Sequence, residues 1–220
     1  MTYFIIFALF SLTALLLADY KNESVIAGWL KASTSICMVG YAFMQMQSSP
    51  NLYAYLVFAA IVFGLLGDVF LIPKSKNSFL IGMLAFLVGH ILYIIAFAQQ
   101  NFAYFEWAAG FFGISIAMYI VFRWVESSLK GVLRIGVIVY MFALAVMCSL
   151  ALSVRQDGGL TLIGLGATLF MVSDFFVASH RFKKPQLINR LVGLPLYYLG
   201  QFILATTITQ MTTSSPWLPV

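Results

Sequence analysis

Residues 64–93 read GLLGDVFLIPKSKNSFLIGMLAFLVGHILY: two apolar segments joined by a short basic loop, with Asp68 inside the first and His90 inside the second. Burying an unpaired charge in hydrocarbon costs on the order of several kcal/mol. Ionisable side chains in apolar runs of this length are therefore rare, and each needs an internal partner or a function.

Residues 164–204, GLGATLFMVSDFFVASHRFKKPQLINRLVGLPLYYLGQFIL, follow the same plan. An apolar segment carries Asp174, a basic loop follows, and the next segment sets Gly200-Gln201 against the Gly89-His90 of the first stretch. The chain reads as a scaffold that brings two aspartates together.

Composition fixes the medium. Of 220 residues 62% are hydrophobic and 9% charged, where a soluble domain carries roughly 25% charged residues. With a mean hydropathy of +0.98, this is an integral membrane protein. The first segment, residues 3–18, has no basic leader and no A-x-A-like cleavage site, so it reads as a retained helix. Cys37 and Cys148 both fall in apolar segments, with no CxxC motif and no disulfide framework, and read as buried apolar side chains.

Windows of about 20 apolar residues, the length that crosses the hydrocarbon core, fall at 2–18, 25–44, 52–72, 79–98, 103–122, 132–152, 160–179 and 191–212. The expected fold is all-α: a polytopic bundle of eight transmembrane helices in one membrane domain over 1–220, with connections too tight for a soluble domain. The segments holding Asp68 and Asp174 are four helices apart and run in the same direction. Any internal duplication is then a parallel 4+4 repeat.

The net charge of +5 does not point to nucleic acid, because the basic residues flank the apolar segments. Lys21, Lys74, Lys76, Arg123, Lys130, Arg134, Arg181, Lys183, Lys184 and Arg190 follow the odd-numbered helices, against Arg155 alone in the other loops and tails. The positive-inside rule makes the odd loops cytoplasmic and puts both termini outside. Counting about 1.5 Å per residue then places Asp68, Asp174 and Lys31 in the cytoplasmic leaflet and His90 and Gln201 nearer the bilayer middle, with Tyr197 and Tyr198 between. Glu106, near the outer end of helix 5, reads as interfacial.

Two carboxylates facing a shared cavity repel if both are ionised, so one is expected to keep its proton near neutral pH, an arrangement suited to an acid and a base in one site. The alternative is a structural ion pair of either aspartate with Lys31, or snorkelling to the nearby interface. Lys31 itself either neutralises a carboxylate or binds a lipid phosphate. His90 either relays protons and orients water or is neutral interhelical glue. The same choice, substrate contact or glue, applies to Tyr93, Tyr197, Tyr198 and Gln201.

A catalytic zinc is not expected, since such sites use three protein ligands and the chain holds two histidines, His90 and His180. No G-x-S-x-G elbow is present for a serine hydrolase. No metal and no organic cofactor are called for.

The motifs that hold these polar residues resemble a known family. GLLGDVFL at 64–71, the F-x-x-G-x-x-A-F-x-x-x-H-x-x-Y pattern from Phe79 to Tyr93, Ser173-Asp174 followed by His180-Arg181-Phe182, and YYLGQ at 197–201 are similar to the YhhN family, whose characterised members include lysoplasmalogenases. The resemblance implies hydrolysis of the vinyl-ether bond of a lysoplasmalogen, a lysophospholipid with an alkenyl chain, to a fatty aldehyde and a glycerophospho-alcohol. Asp68 and Asp174 would be the essential acidic pair, and Lys31 with Tyr197, Tyr198 or Gln201 would hold the head group. A bacterial inner membrane is the expected location.

Two other classes compete with this reading. A proton-coupled transporter of a small solute also uses buried aspartates, a lysine and a histidine, but here the polar groups cluster in one half of the membrane. A non-catalytic lipid-binding membrane protein leaves the two aspartates without a purpose.

Overall fold

The structure, a computed structural model, describes residues 2–73, 75–155 and 161–211. Lys74, Leu160 and Thr212, which the sequence reading puts in a loop and at two helix limits, lie outside the described residues. Eight α-helices follow one another: α1 Thr2–Tyr20, α2 Ser24–Ser48, α3 Leu52–Phe70, α4 Lys76–Ala98, α5 Tyr104–Val125, α6 Val132–Ser153, α7 Leu162–Phe182 and α8 Leu187–Thr206. Each is long and apolar enough to cross a membrane, and no strand occurs among the described residues. The fold is the expected all-α polytopic bundle.

Several helices start where the sequence offers a side-chain cap. Asn51 accepts a hydrogen bond from the Ala54 amide at 2.8 Å, Ser75 from Ser78 at 3.0 Å and Thr161 from Gly164 at 3.0 Å. These bonds satisfy amides that the first helical turn leaves without a partner. Helices α7 and α8 run further into their shared connection than the apolar windows suggest. The turns around His180-Arg181 and Asn189-Arg190 are helical but polar, so hydropathy ends each helix a turn early.

Six helices form a closed ring. α2 packs on α3, α3 on α4, α4 on α6, α6 on α7, α7 on α8, and α8 returns to α2 and α3. α1 lies outside against α2 and α8, presenting the stripe Ala8, Ser11, Leu15 and Ala18, whose spacing of three and four residues is that of one helix face. α5 lies outside against α6 and buries only Met118 and Val125 among its side chains. Advancing the helix numbers by four maps the neighbour pairs around the ring onto one another, α2–α3 onto α6–α7, α3–α4 onto α7–α8 and α4–α6 onto α8–α2, while the α1–α8 and α3–α8 contacts have no counterpart among the main packed pairs.

Small residues bring the ring helices to backbone distance. A methyl placed on Gly200 would lie 2.8 Å from the Gly166 carbonyl oxygen, and one on Gly82 would lie 3.1 Å from that of Gly67. In an apolar medium, close backbone approach supplies the dispersion contacts that the hydrophobic effect supplies in water. The largest fully buried side chains are aromatic, Tyr53, Tyr93, Tyr198, Phe97 and Phe170.

Candidate active site

α3 carries Asp68 into the ring, where it is 2% exposed. Its Oδ1 lies 3.0 Å from the Lys31 ammonium of α2, itself 11% exposed. Its Oδ2 accepts from Ser35 Oγ of α2 at 2.7 Å and from Tyr197 Oη of α8 at 2.9 Å. Tyr198 Oη donates to the Lys31 carbonyl at 3.1 Å and lies 3.0 Å from Ser35 Oγ. A buried carboxylate is tolerable only when paired and hydrogen-bonded, and Asp68 meets both conditions. Of the two roles open to Lys31, this geometry takes the first, partner to a carboxylate.

α7 carries Asp174 into the same ring in a different setting. Tyr140 Oη of α6 donates to its Oδ2 at 2.8 Å. Among the described residues no lysine, arginine or histidine lies within ion-pair distance of it. Each aspartate is thus held by the preceding ring helix, Asp68 by α2 and Asp174 by α6. One holder is a cation and the other a neutral phenol.

The helix ends alone misstate the relative depth of the pair. α3 stops two residues after Asp68 while α7 continues for eight residues past Asp174, about 3 Å and 12 Å of helix respectively. Both helices instead share a contact at Tyr197. A methyl on Gly64 would lie 3.2 Å from Tyr197 Oη, and the Phe170 ring packs on the Tyr197 ring with centroids 5.4 Å apart. Asp68 follows Gly64 by four residues and Asp174 follows Phe170 by four, so each aspartate sits one turn further along its helix than a residue that meets Tyr197.

Between the two carboxylates stands an aromatic cluster. Phe86 meets Tyr197 and Phe170 at 5.9 and 6.3 Å, and His90 meets Phe170 at 5.1 Å and Tyr140 at 4.7 Å. Aromatic faces are electron-rich and attract positive charge. A path of contacts thus runs from Lys31 through Asp68, Tyr197, Phe170, His90 and Tyr140 to Asp174.

The deeper polar residues divide. Tyr93 Oη donates to Gln201 Oε1 at 2.5 Å, joining α4 to α8. His90 is 1% exposed, and neither ring nitrogen has a hydrogen-bond partner among the described residues. Glu106 pairs with Arg155 at 2.9 Å in an exposed position on the opposite end of the bundle. Among the described residues no group of three or more His, Cys, Asp or Glu side chains is placed to hold a metal ion.

Sequence reasoning passed over Ser35 and Tyr140, and a signal for Tyr140 existed. It lies eight residues into α6 and Lys31 lies seven into α2, so the two partners occupy corresponding sequence positions in their helices. It also passed over the ion pair of Arg190 Nε on α8 with Asp19 Oδ2 on α1 at 2.7 Å. Both residues lie in polar turns that looked like plain topology signals.

Comparison with known proteins matches the YhhN family over residues 27–208. Two similar proteins are called Lysoplasmalogenase TMEM86A: the Bos taurus protein is 28% identical over 165 residues and the Homo sapiens protein 27% over 162. Each match covers 70% of this chain and 65% of the relative, so the chain spans just under two thirds of those relatives' length. A Dictyostelium discoideum protein called Lysoplasmalogenase homolog is 25% identical over 203 residues, 74% of this chain and 66% of its own. No solved structure matches. The family model covers all six helices of the ring and every side chain placed around the two aspartates, and on that match the chain belongs to the YhhN family.

Proposed function

We propose that this protein is a membrane-embedded hydrolase that opens the vinyl-ether bond of lysoplasmalogens, releasing a fatty aldehyde and a glycerophospho-alcohol. The names of its relatives support the substrate class. The observation that carries the chemistry is the unequal treatment of the two aspartates: Asp68 is paired with Lys31, whereas Asp174 has the Tyr140 phenol and, among the described residues, no cation.

A vinyl ether opens when an acid protonates the alkene carbon remote from oxygen, which leaves an oxocarbenium ion. Asp174, with no compensating cation among the described residues, is the proton donor. Asp68, paired with Lys31, faces the developing positive charge together with the aromatic cluster, where a preformed counter-charge lowers the barrier. Water then adds to the oxygen-bearing carbon and gives its proton to Asp68. The hemiacetal collapses as its hydroxyl proton passes to the Asp174 carboxylate, the carbon–oxygen bond to glycerol breaks, and Asp68 protonates the departing oxygen. Both carboxyl groups return to their starting states and the sum is one vinyl ether plus one water.

His90, buried against Tyr140 and Phe170, has ring nitrogens available to the attacking water. The apolar interior takes the alkenyl chain. By the positive-inside rule the site opens toward the cytoplasmic leaflet of a bacterial inner membrane with both termini outside. The unpaired setting of Asp174 suits a reaction that begins with proton donation better than it suits a relay across the membrane.

The test is release of the glycerophospho-alcohol, with its co-product identified as aldehyde or fatty acid, by purified protein from a 1-alkenyl lysophospholipid beside its 1-alkyl and 1-acyl analogues. Release from the alkenyl lipid alone is expected. Equal turnover of the acyl lipid would replace this reading with an esterase, and no turnover of any analogue by folded protein would remove the hydrolase.

A further inference from the structure

Assigning Lys31 to Asp68 leaves the substrate's phosphate without a partner, and the structure offers another cation. On α8 the residues Arg190, Leu194, Tyr197 and Gln201 recur at spacings of four, three and four, which places them on one helix face. Arg190 lies about 10 Å along that face from Tyr197, toward the end bearing the odd-numbered loops. Tyr197 donates to Asp68.

Four other cations of this end have work of their own: Arg123 and Arg134 bind Glu126, Arg181 lies over the Phe79 ring and Lys183 over the Trp124 ring. Arg190 is 34% exposed and is tied to Asp19 through Nε. That contact fixes the stem of the guanidinium and leaves its two terminal nitrogens to form a fork, the geometry that suits a phosphate. A glycerol backbone places three carbons between the phosphate and the ether oxygen, and Arg190 stands about two turns from Tyr197 along the same face of α8.

We propose that Arg190, steadied by Asp19, binds the phosphodiester of the lysophospholipid head group and so sets both the substrate class and the depth at which the vinyl ether meets the aspartates. This rests on the hydrolase reading for its substrate, though not for its lipid-binding test.

Two substrates separate the roles: a 1-alkenyl lysophospholipid and a 1-alkenylglycerol that lacks the phosphate. Arg190→Gln is expected to raise KM for the first at least about tenfold more than for the second, the effect of losing one charged hydrogen-bonding partner. Asp19→Asn, which removes the ion pair but keeps the arginine, should hold the ratio of the two KM values within about threefold of wild type. Equal effects of Arg190→Gln on both substrates would overturn the proposal.

Binding of a 1-alkyl lysophospholipid, which holds no cleavable bond, keeps the arginine testable if no vinyl ether is turned over. Wild type should bind it at least about tenfold more tightly than Arg190→Gln. Equal binding overturns the assignment, and displacement of the lipid by millimolar inorganic phosphate would reassign Arg190 to a free anion.

Discussion

Lys31 and Asp68 meet at 3.0 Å with their side chains 11% and 2% exposed, an ion pair almost closed off from its surroundings. Removing one member of such a pair strands the other charge, at a cost of about 3–5 kcal/mol. Lys31→Met is therefore expected to lower thermal stability in detergent sharply, and Lys31→Met with Asp68→Asn to recover much of the loss. Equal stability of the single and double variants would show that the two groups do not compensate one another.

Tyr140 holds Asp174 by one hydrogen bond, so Tyr140→Phe should leave the fold within about 1–2 kcal/mol of wild type. As a positioning residue it is expected to act on kcat, with a fall of about tenfold and a KM within about twofold. A rise in KM at constant kcat would place Tyr140 in substrate binding instead.

Gly64 leaves room for the Tyr197 hydroxyl that donates to Asp68, and a methyl there would lie 3.2 Å from Tyr197 Oη and 3.3 Å from Gln201 Nε2. Gly64→Ala is expected to reduce activity more than stability, because the nearest atoms are side-chain tips that can shift. Gly200→Ala should do the reverse and cost about 1–3 kcal/mol of stability, since its methyl would lie 2.8 Å from the Gly166 backbone oxygen. The two effects are read by an activity assay and a thermal unfolding curve on the same preparations, and an equal stability loss in both would show that Gly64 is only a packing residue.

His90 packs as a ring but has no hydrogen-bond partner among the described residues for either nitrogen. Phenylalanine keeps the packing and removes two buried unsatisfied polar atoms, which is worth about 1–3 kcal/mol. His90→Phe should then unfold at a higher temperature while losing about tenfold or more in kcat. Full activity in the variant would assign His90 to packing.

The eight helices were legible because lipid demands long apolar segments whatever else the chain does. The polar residues within them were legible for the same reason, as exceptions that need partners. What the sequence could not show was which partner each would find. Lys31 had two acceptable roles until α2 was seen to face Asp68, and Tyr140, as one hydroxyl in the apolar run of α6, looked like ordinary bundle packing. The ends of α7 and α8 were misjudged because hydropathy measures burial in lipid, whereas a helix continues into polar turns such as those at His180 and Arg190. That extension puts Arg190 on the same helical face as Tyr197.

The most direct measurement is aldehyde release from a 1-alkenyl lysophospholipid by the Asp68→Asn and Asp174→Asn proteins, each first shown to be folded by its unfolding curve. The account expects both to lose at least about a hundredfold in kcat, with the product of residual and wild-type turnover in deuterated water carrying one deuterium on the carbon next to the aldehyde. Wild-type rates in either variant, or deuterium absent from that carbon, would contradict acid-base hydrolysis by this aspartate pair.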